Sequence, residues 1–219
     1  MSTKAHIPSA HELWAMGKVP YSQQPPEFSL TDLTRLRRFT VDEYRTMVEA
    51  GVFGDYEPGE LLEGVILWKF RPMTPRECFP QHALMTLELN TPDWHVHINP
   101  AITLADSEPE PDAAIIRGRL EDYDKRFPVA ADAGVVIEFA DASLEFDRVV
   151  KQRIYARAGI PVYWIVNLID EWVEVYTDPD PTATPPAYRT RTDFAPGQSV
   201  PLVLDGTTVA TIPVADLLP

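Results

Sequence analysis

Cysteine is nearly missing from this chain: Cys78 is the only one in 219 residues. A single thiol can form neither an intrachain disulfide nor a cysteine-based zinc cluster, and with no nucleophile signature around it Cys78 reads as a passive thiol. Long apolar runs are missing as well. None approaches the roughly 18 residues of a membrane span, and the opening MSTKAHIPSAHELW lacks an apolar signal core, so a cytoplasmic protein is expected. The third absence is basic excess. With Lys+Arg 19 against Asp+Glu 33 and a net charge of −14, the chain does not read as a nonspecific coat for nucleic acid. A local basic patch that grips DNA stays open, and so does an acidic site for a divalent cation.

What is present describes a globular protein, 45% hydrophobic and 10% aromatic, long enough to bury a substantial core in one domain. Residues 1–38 carry scattered prolines and little periodicity, which suits an irregular N-terminal arm. Residues 39–219 read as a single domain with a β-rich extension at about 187–219.

The stretch 135–176 organises the rest. Its first residues, VVIEF, have the apolar, β-branched character of a strand buried on both faces, yet Glu138 sits inside. A carboxylate there needs a partner or a metal. Asp141 and Ser143 are candidate N-caps for a helix of about four turns that Gly159 and Pro161 terminate. Two strands at 162–166 and 172–176 then flank a gap suited to a hairpin loop. On the helix, Asp147, Lys151 and Tyr155 follow one another at four-residue spacing and share a face. They form either an ordinary surface ion pair or the lysine of a site beside Glu138, and spacing alone does not choose.

Earlier in the chain, Arg35, Arg37 and Arg38 make a small basic cluster, a solvated patch or a phosphate contact. Thr40 and Glu43 form a capping box for a helix that stops at Gly51. The segment ELLEGVILW at 60–68 reads as the end of a helical turn leading into a strand, with Gly64 at the tight position and Glu60 and Glu63 as acids beside it. Pro72, Pro75 and Pro80 break the next segment, and a short helix is expected at 83–89, opened by His82. A strand at 94–104 runs into an acidic, proline-rich loop, after which Asp112 heads the apolar strand at 113–116. Residues 178–186 read as a loop, followed by strands at 188–194, 200–204 and 207–211 with Asp205-Gly206 as a turn. An acid at the head of one strand, an acid inside another and a lysine nearby have a physical purpose: the carboxylates can hold a hard divalent cation, which activates water and polarises a phosphodiester, while the lysine stabilises developing charge.

Several ordered segments, TVDEYRTMVEAGVF, GELLEGVI, SEPEPDAAIIRG, VVIEFADASLEFDRVVKQRIYARAGIPVYWIV and the closing VPLVLDGTTVATIPVADLLP, resemble the Uma-two family of restriction endonucleases, formerly a domain of unknown function, within the PD-(D/E)XK nuclease superfamily. The likeness runs from about residue 39 to 219. It implies an α/β (α+β) fold with a restriction-endonuclease-like core, a mixed central β-sheet flanked by helices. It also implies a metal-dependent endonuclease that hydrolyses DNA phosphodiester bonds through a metal-activated water and leaves a 5′-phosphate. The resemblance makes Asp112 and Glu138 ligands of magnesium, or of manganese in its place, and adds Glu60 as a further metal-binding or water-orienting acid. The superfamily's usual lysine position, two residues after the second acid, holds Ala140, and the substitute falls on Lys151 with Tyr155 one turn later. The region 82–100 is shorter than in family members, so one wall of the cleft is reduced. Three functions follow as expectations: the nuclease, alternatively a catalytically silent nuclease-fold scaffold that binds nucleic acid or protein, and third the hydrolysis of another phosphate ester, or of RNA, by the same metal site. DNA is the expected substrate, and a homodimer through the hairpin at 162–176 or the N-terminal arm is the expected assembly.

Overall fold

The computed structural model describes residues 36–53, 59–68 and 74–219. The expected arm, with Arg35, lies outside them apart from residues 36–38. Arg38–Pro219 forms one compact unit.

Helix α1 (Val41–Glu49) starts at the capping box read from the sequence: Thr40 Oγ1 accepts from Glu43 N–H at 3.2 Å, and the Glu43 carboxylate accepts from Thr40 N–H at 3.0 Å. Strands β1 (Glu60–Leu62) and β2 (Val65–Leu67) pair antiparallel where the end of a helical turn was expected. The reason is the turn between them. Glu63 and Gly64 both adopt left-handed conformations, φ 49° and 76°, and a two-residue turn with positive φ at both positions matches the twist of a hairpin. Gly64 is also a close approach, since a Cβ there would stand 2.6 Å from Arg38 Cβ. Helix α2 (Pro75–Met85) begins well before the expected short helix. Pro75 does not break the segment but opens it, because the first turn of a helix needs no N–H from that residue, and Thr74 and Glu77 supply a second capping box.

Six strands form the central sheet in spatial order β3 (Trp94–Ile98), β4 (Ala113–Arg117), β5 (Ala133–Ala140), β6 (Val162–Asn167), β7 (Trp172–Asp180) and β8 (Ala187–Phe194). Every neighbouring pair is antiparallel except β5 and β6, and a parallel pair needs a crossover. Helix α3 supplies it in three consecutive pieces: Leu144–Phe146, a π turn Asp147–Lys151, and Gln152–Arg157. All of β5 is buried, as its unbroken apolar run required. Gly134 bulges out of the β4–β5 pairing, where a Cβ would meet Leu204 at 2.6 Å and the Trp94 ring at 2.7 Å.

Because side chains alternate along a strand, the sheet buries two different sets. One face, with Ala114, Ile116, Val136 and Ala140, packs against Tyr155 and Ala156 of α3. The other, with Ile115, Val135, Ile137 and Trp164, packs against Leu84 of α2, the hairpin of β9 (Ser199–Leu204) and β10 (Thr207–Pro213), and the closing Val214, Leu217 and Leu218.

Two further expectations change. Strand β3 stops at Ile98, because Asn99 turns to a left-handed φ of 49°. Strand β7 continues through Pro179 to Asp180, so only part of 178–186 is loop. The β6–β7 hairpin is flanked by β5 and β8 on its two edges. No helix among the described residues is long and apolar enough to cross a membrane.

Candidate active site

Ala113 lies opposite Ile137, so the same register carried one residue further sets Asp112 beside Glu138. Both belong to the face that α3 covers. Asp112 Oδ2 accepts the Phe139 N–H at 2.6 Å, which ties the entry of β4 to β5 at the height of Glu138. The Glu138 side chain is buried, and its Oε1 accepts from Lys151 Nζ at 3.0 Å and from the Tyr155 hydroxyl at 2.8 Å. Glu60, equally buried on β1, accepts from the same Lys151 Nζ at 2.5 Å and from Glu110 N–H at 3.2 Å, both through Oε2. Glu60, Glu138 and Lys151 therefore meet directly, and Asp112 stands on the neighbouring strand.

The surface-pair reading of Asp147 and Lys151 fails here. Both residues are only 3% exposed, and Lys151 bonds Glu60 and Glu138 rather than Asp147. Burial by itself pushes the Lys151 ammonium down, but the charges of Glu138 and Glu60 outweigh it and hold the group above the ordinary lysine value. Lys151 is a fixed cation at neutral pH. The Asp147 carboxyl goes the other way: burial, then the charge of Glu138, pushes it up to about 8 against the pull of the Ser143 hydroxyl and Lys151. Ser143 does not cap the helix as expected; its hydroxyl donates to Asp147 Oδ2 at 2.6 Å. Tyr155 is fully buried and held well above its ordinary value, chiefly by burial and then by Glu138, so its hydroxyl stays a donor. The π turn, a widening that recurs at functional sites, is the piece of α3 that carries both Asp147 and Lys151.

The other residues singled out in the sequence fall elsewhere. On α3, Arg153 grips Glu63 through two bonds of 2.7 Å, and Arg157 bonds Glu63 at 2.9 Å and Asp106 at 2.6 Å. Arg148 is likewise bound to Glu174, and Arg38 donates to the Glu63 carbonyl. Glu63 is thus a hub and not an idle acid. His82 lies on α2, which packs against the opposite face of the sheet. Sequence reasoning missed Glu174, although it carries the signal used for Glu138, an acid inside an apolar strand. Burial would raise its carboxyl, yet Arg148, Tyr176, Trp172 and Asn167 all donate to it and hold it down at about 2.

Whether these residues suit a divalent ion is a question of donor chemistry. Among the described residues no three His, Cys, Asp or Glu side chains group closely enough to hold one, and Lys151 stands between Glu60 and Glu138. Magnesium, however, keeps several waters and commonly takes one or two carboxylates. Asp112 and Glu138 provide that pair, with Glu138 Oε2 outside the bonds to Lys151 and Tyr155.

A mixed sheet crossed by one helix over its parallel pair, with acids at equal height on two central strands, is a restriction-endonuclease-like α+β fold. The family described as "Putative restriction endonuclease" (Uma2) matches residues 70–212, and the chain belongs to it. The crystal structure of "a putative nuclease belonging to DUF820" from Anabaena variabilis is similar, with a TM-score of 0.55, 18% identity, and coverage of 82% of this chain and 97% of that one. No curated protein matches the chain.

Proposed function

We propose that the chain is a magnesium-dependent endonuclease that hydrolyses DNA phosphodiester bonds. The observation that carries this reading is the buried network in which one lysine from α3 bridges Glu60 and Glu138, from segments distant in the sequence, beside Asp112. Placing three acids and a cation there is costly for stability alone. Asp112 and Glu138 are the residues to hold the ion. When bound, magnesium supplies Lewis-acid chemistry, acidifying water and polarising a phosphoryl oxygen. Lys151, permanently charged, is unsuited to act as a base; it stabilises negative charge that develops on the phosphoryl group. Tyr155 orients Glu138 through its hydroxyl, and Glu60 fixes the ammonium from the other side.

The test is cleavage of supercoiled and single-stranded DNA by purified protein with magnesium or manganese. Asp112→Asn keeps an oxygen to accept the Phe139 N–H, so it should melt like wild type while losing cleavage. Cleavage that survives in this variant, or none by wild type, overturns the assignment. A silent scaffold is the second reading, favoured by the way Lys151 already satisfies both Glu60 and Glu138. Magnesium titration separates the two, because an ion bound only by the folded state raises its stability, whereas a scaffold melts unchanged.

A further inference from the structure

Next to Asp112 the sheet carries a concavity that the proposed hydrolysis does not use. Asn99 N–H donates to the Asp112 carbonyl at 3.1 Å, and His97 lies opposite Ala114, so both belong to β3 or its end, one strand from Asp112. Ala114 faces α3, which puts His97 on the same face as Glu138. There the side chains of His97, Asn99, Tyr123, Asp124, Arg126 and Phe127 line a half-open cleft of about 230 Å³. Adjacent strands lie about 4.8 Å apart, so the β3 side of the cleft is one strand from Asp112 and two from Glu138.

Its chemistry narrows the occupant. Arg126 is already neutralised by Asp132 at 2.7 Å and lies over the Tyr123 ring at 4.6 Å, so no uncompensated cation awaits a phosphate. One carboxylate facing one guanidinium does not make a cation site. What remains is the exposed ring of Phe127, which carries Arg45 over one face at 5.1 Å, and unsatisfied hydrogen-bonding capacity. His97 Nδ1 is buried with no hydrogen-bond partner, and buried polar atoms are seldom left so. Burial, and then the neighbouring His95, also push the His97 imidazole down, so the ring stays neutral and able to accept or donate. A planar group with donors and acceptors on its edge satisfies both features. In a duplex such an edge is paired and stacked, whereas in a single strand it is available.

We propose that this cleft receives one unstacked nucleobase of a single-stranded DNA substrate, stacked on Phe127 and hydrogen-bonded by His97 and Asn99, next to the phosphodiester held at Asp112 and Glu138. The proposal rests on the nuclease reading for the position of the phosphodiester, but its test does not require cleavage. A single-stranded oligonucleotide carrying one 2-aminopurine is titrated with the Asp112→Asn protein, and binding is followed by the fluorescence of that base. A saturable change is expected. His97→Ala and Phe127→Ala, each in the same background, should weaken binding roughly tenfold, the scale of losing one base-stacking partner. An abasic site in place of 2-aminopurine, read by competition, should weaken the parent similarly and leave the two variants little changed. Phe127 is 47% exposed, so its truncation does not cut into the core, and circular dichroism melts check both variants. Equal binding by parent and variants overturns the proposal, as does the absence of a saturable change. Pocket-dependent binding without any cleavage by wild type sinks the hydrolysis instead and leaves the cleft assignment standing; cleavage with pocket-independent binding does the reverse.

Discussion

Asp147→Asn should make the protein more stable at neutral and alkaline pH, and the gain should itself depend on pH. In the folded state the Asp147 carboxyl titrates at about 8 rather than at 3.8, because burial and the charge of Glu138 oppose its ionisation. An acid raised in this way binds its proton more tightly folded than unfolded. Stability is therefore full below the unfolded value, falls as pH rises from about 4 to about 8, and levels off beyond. Each tenfold change in proton affinity is worth about 1.4 kcal/mol, which sets a ceiling of roughly 6 kcal/mol for the whole interval. Relaxation around a newly ionised carboxylate recovers part of this, so we expect about 2–3 kcal/mol. Asparagine keeps an oxygen to accept the Ser143 hydroxyl, bonded at 2.6 Å in the native chain, but it has no proton to lose. Urea denaturation of both proteins at intervals from pH 4.5 to 9 gives the comparison. The difference should favour the variant increasingly up to about pH 8 and then remain flat. Parallel curves across that range would refute the reasoning, since they would mean that Asp147 ionises as easily folded as unfolded.

Lys151→Met should destabilise the fold by about 3–5 kcal/mol, because it leaves the carboxylates of Glu60 and Glu138 buried without their shared cation; adding Glu60→Gln should restore part of that loss. A loss below 1 kcal/mol in chemical denaturation would show that the two acids do not depend on the lysine. Glu174→Gln addresses the opposite sign. Its folded carboxyl titrates at about 2, below the ordinary 4.5, so its contribution is present above the unfolded value and is lost as pH falls toward 2. The variant should cost about 2 kcal/mol at pH 7, after allowance for screening at the partly exposed Arg148 and Arg191, and the gap to wild type should narrow steadily from pH 5 to pH 2.5; a gap that stays constant in acid contradicts the assignment.

How much of this was legible in the sequence depended on whether a feature was local. The buried strand around Glu138, the helix after it and the hairpin beyond follow from period and punctuation within one stretch, and the family resemblance agrees with them. Asp112, Glu138, Glu60 and Lys151 were all singled out, and three of them meet while the fourth lies alongside. The misreadings share a cause. The β1–β2 turn depends on Glu63 taking a left-handed conformation that its residue type does not announce, and Pro75 opens a helix only because Thr74 and Glu77 happen to cap it. Glu63 as the anchor for Arg153 and Arg157 could not be read at all, since the partners are some 90 positions apart. Glu138 and Glu174 teach the sharper lesson. Both are acids inside apolar strands, but Glu138 faces a lysine and two other acids whereas Glu174 is surrounded by donors, and only the fold distinguishes the two settings.

The hairpin of β9 and β10, with Leu217 and Leu218 behind it, closes the face of the sheet that α3 does not reach. Every residue of the candidate site precedes that hairpin. A chain emerging from the ribosome N-terminus first will therefore have made Glu60, Asp112, Glu138 and Lys151 before the sheet that positions them has its full second cover. Until residues near 218 are free to dock, that face of the central strands has only α2 for cover, and the strands that set the two acids side by side lack their full packing. Any chain cut short before β10 forfeits its cleft together with its core, so a prematurely terminated copy would be harmless as a nuclease as well as unstable.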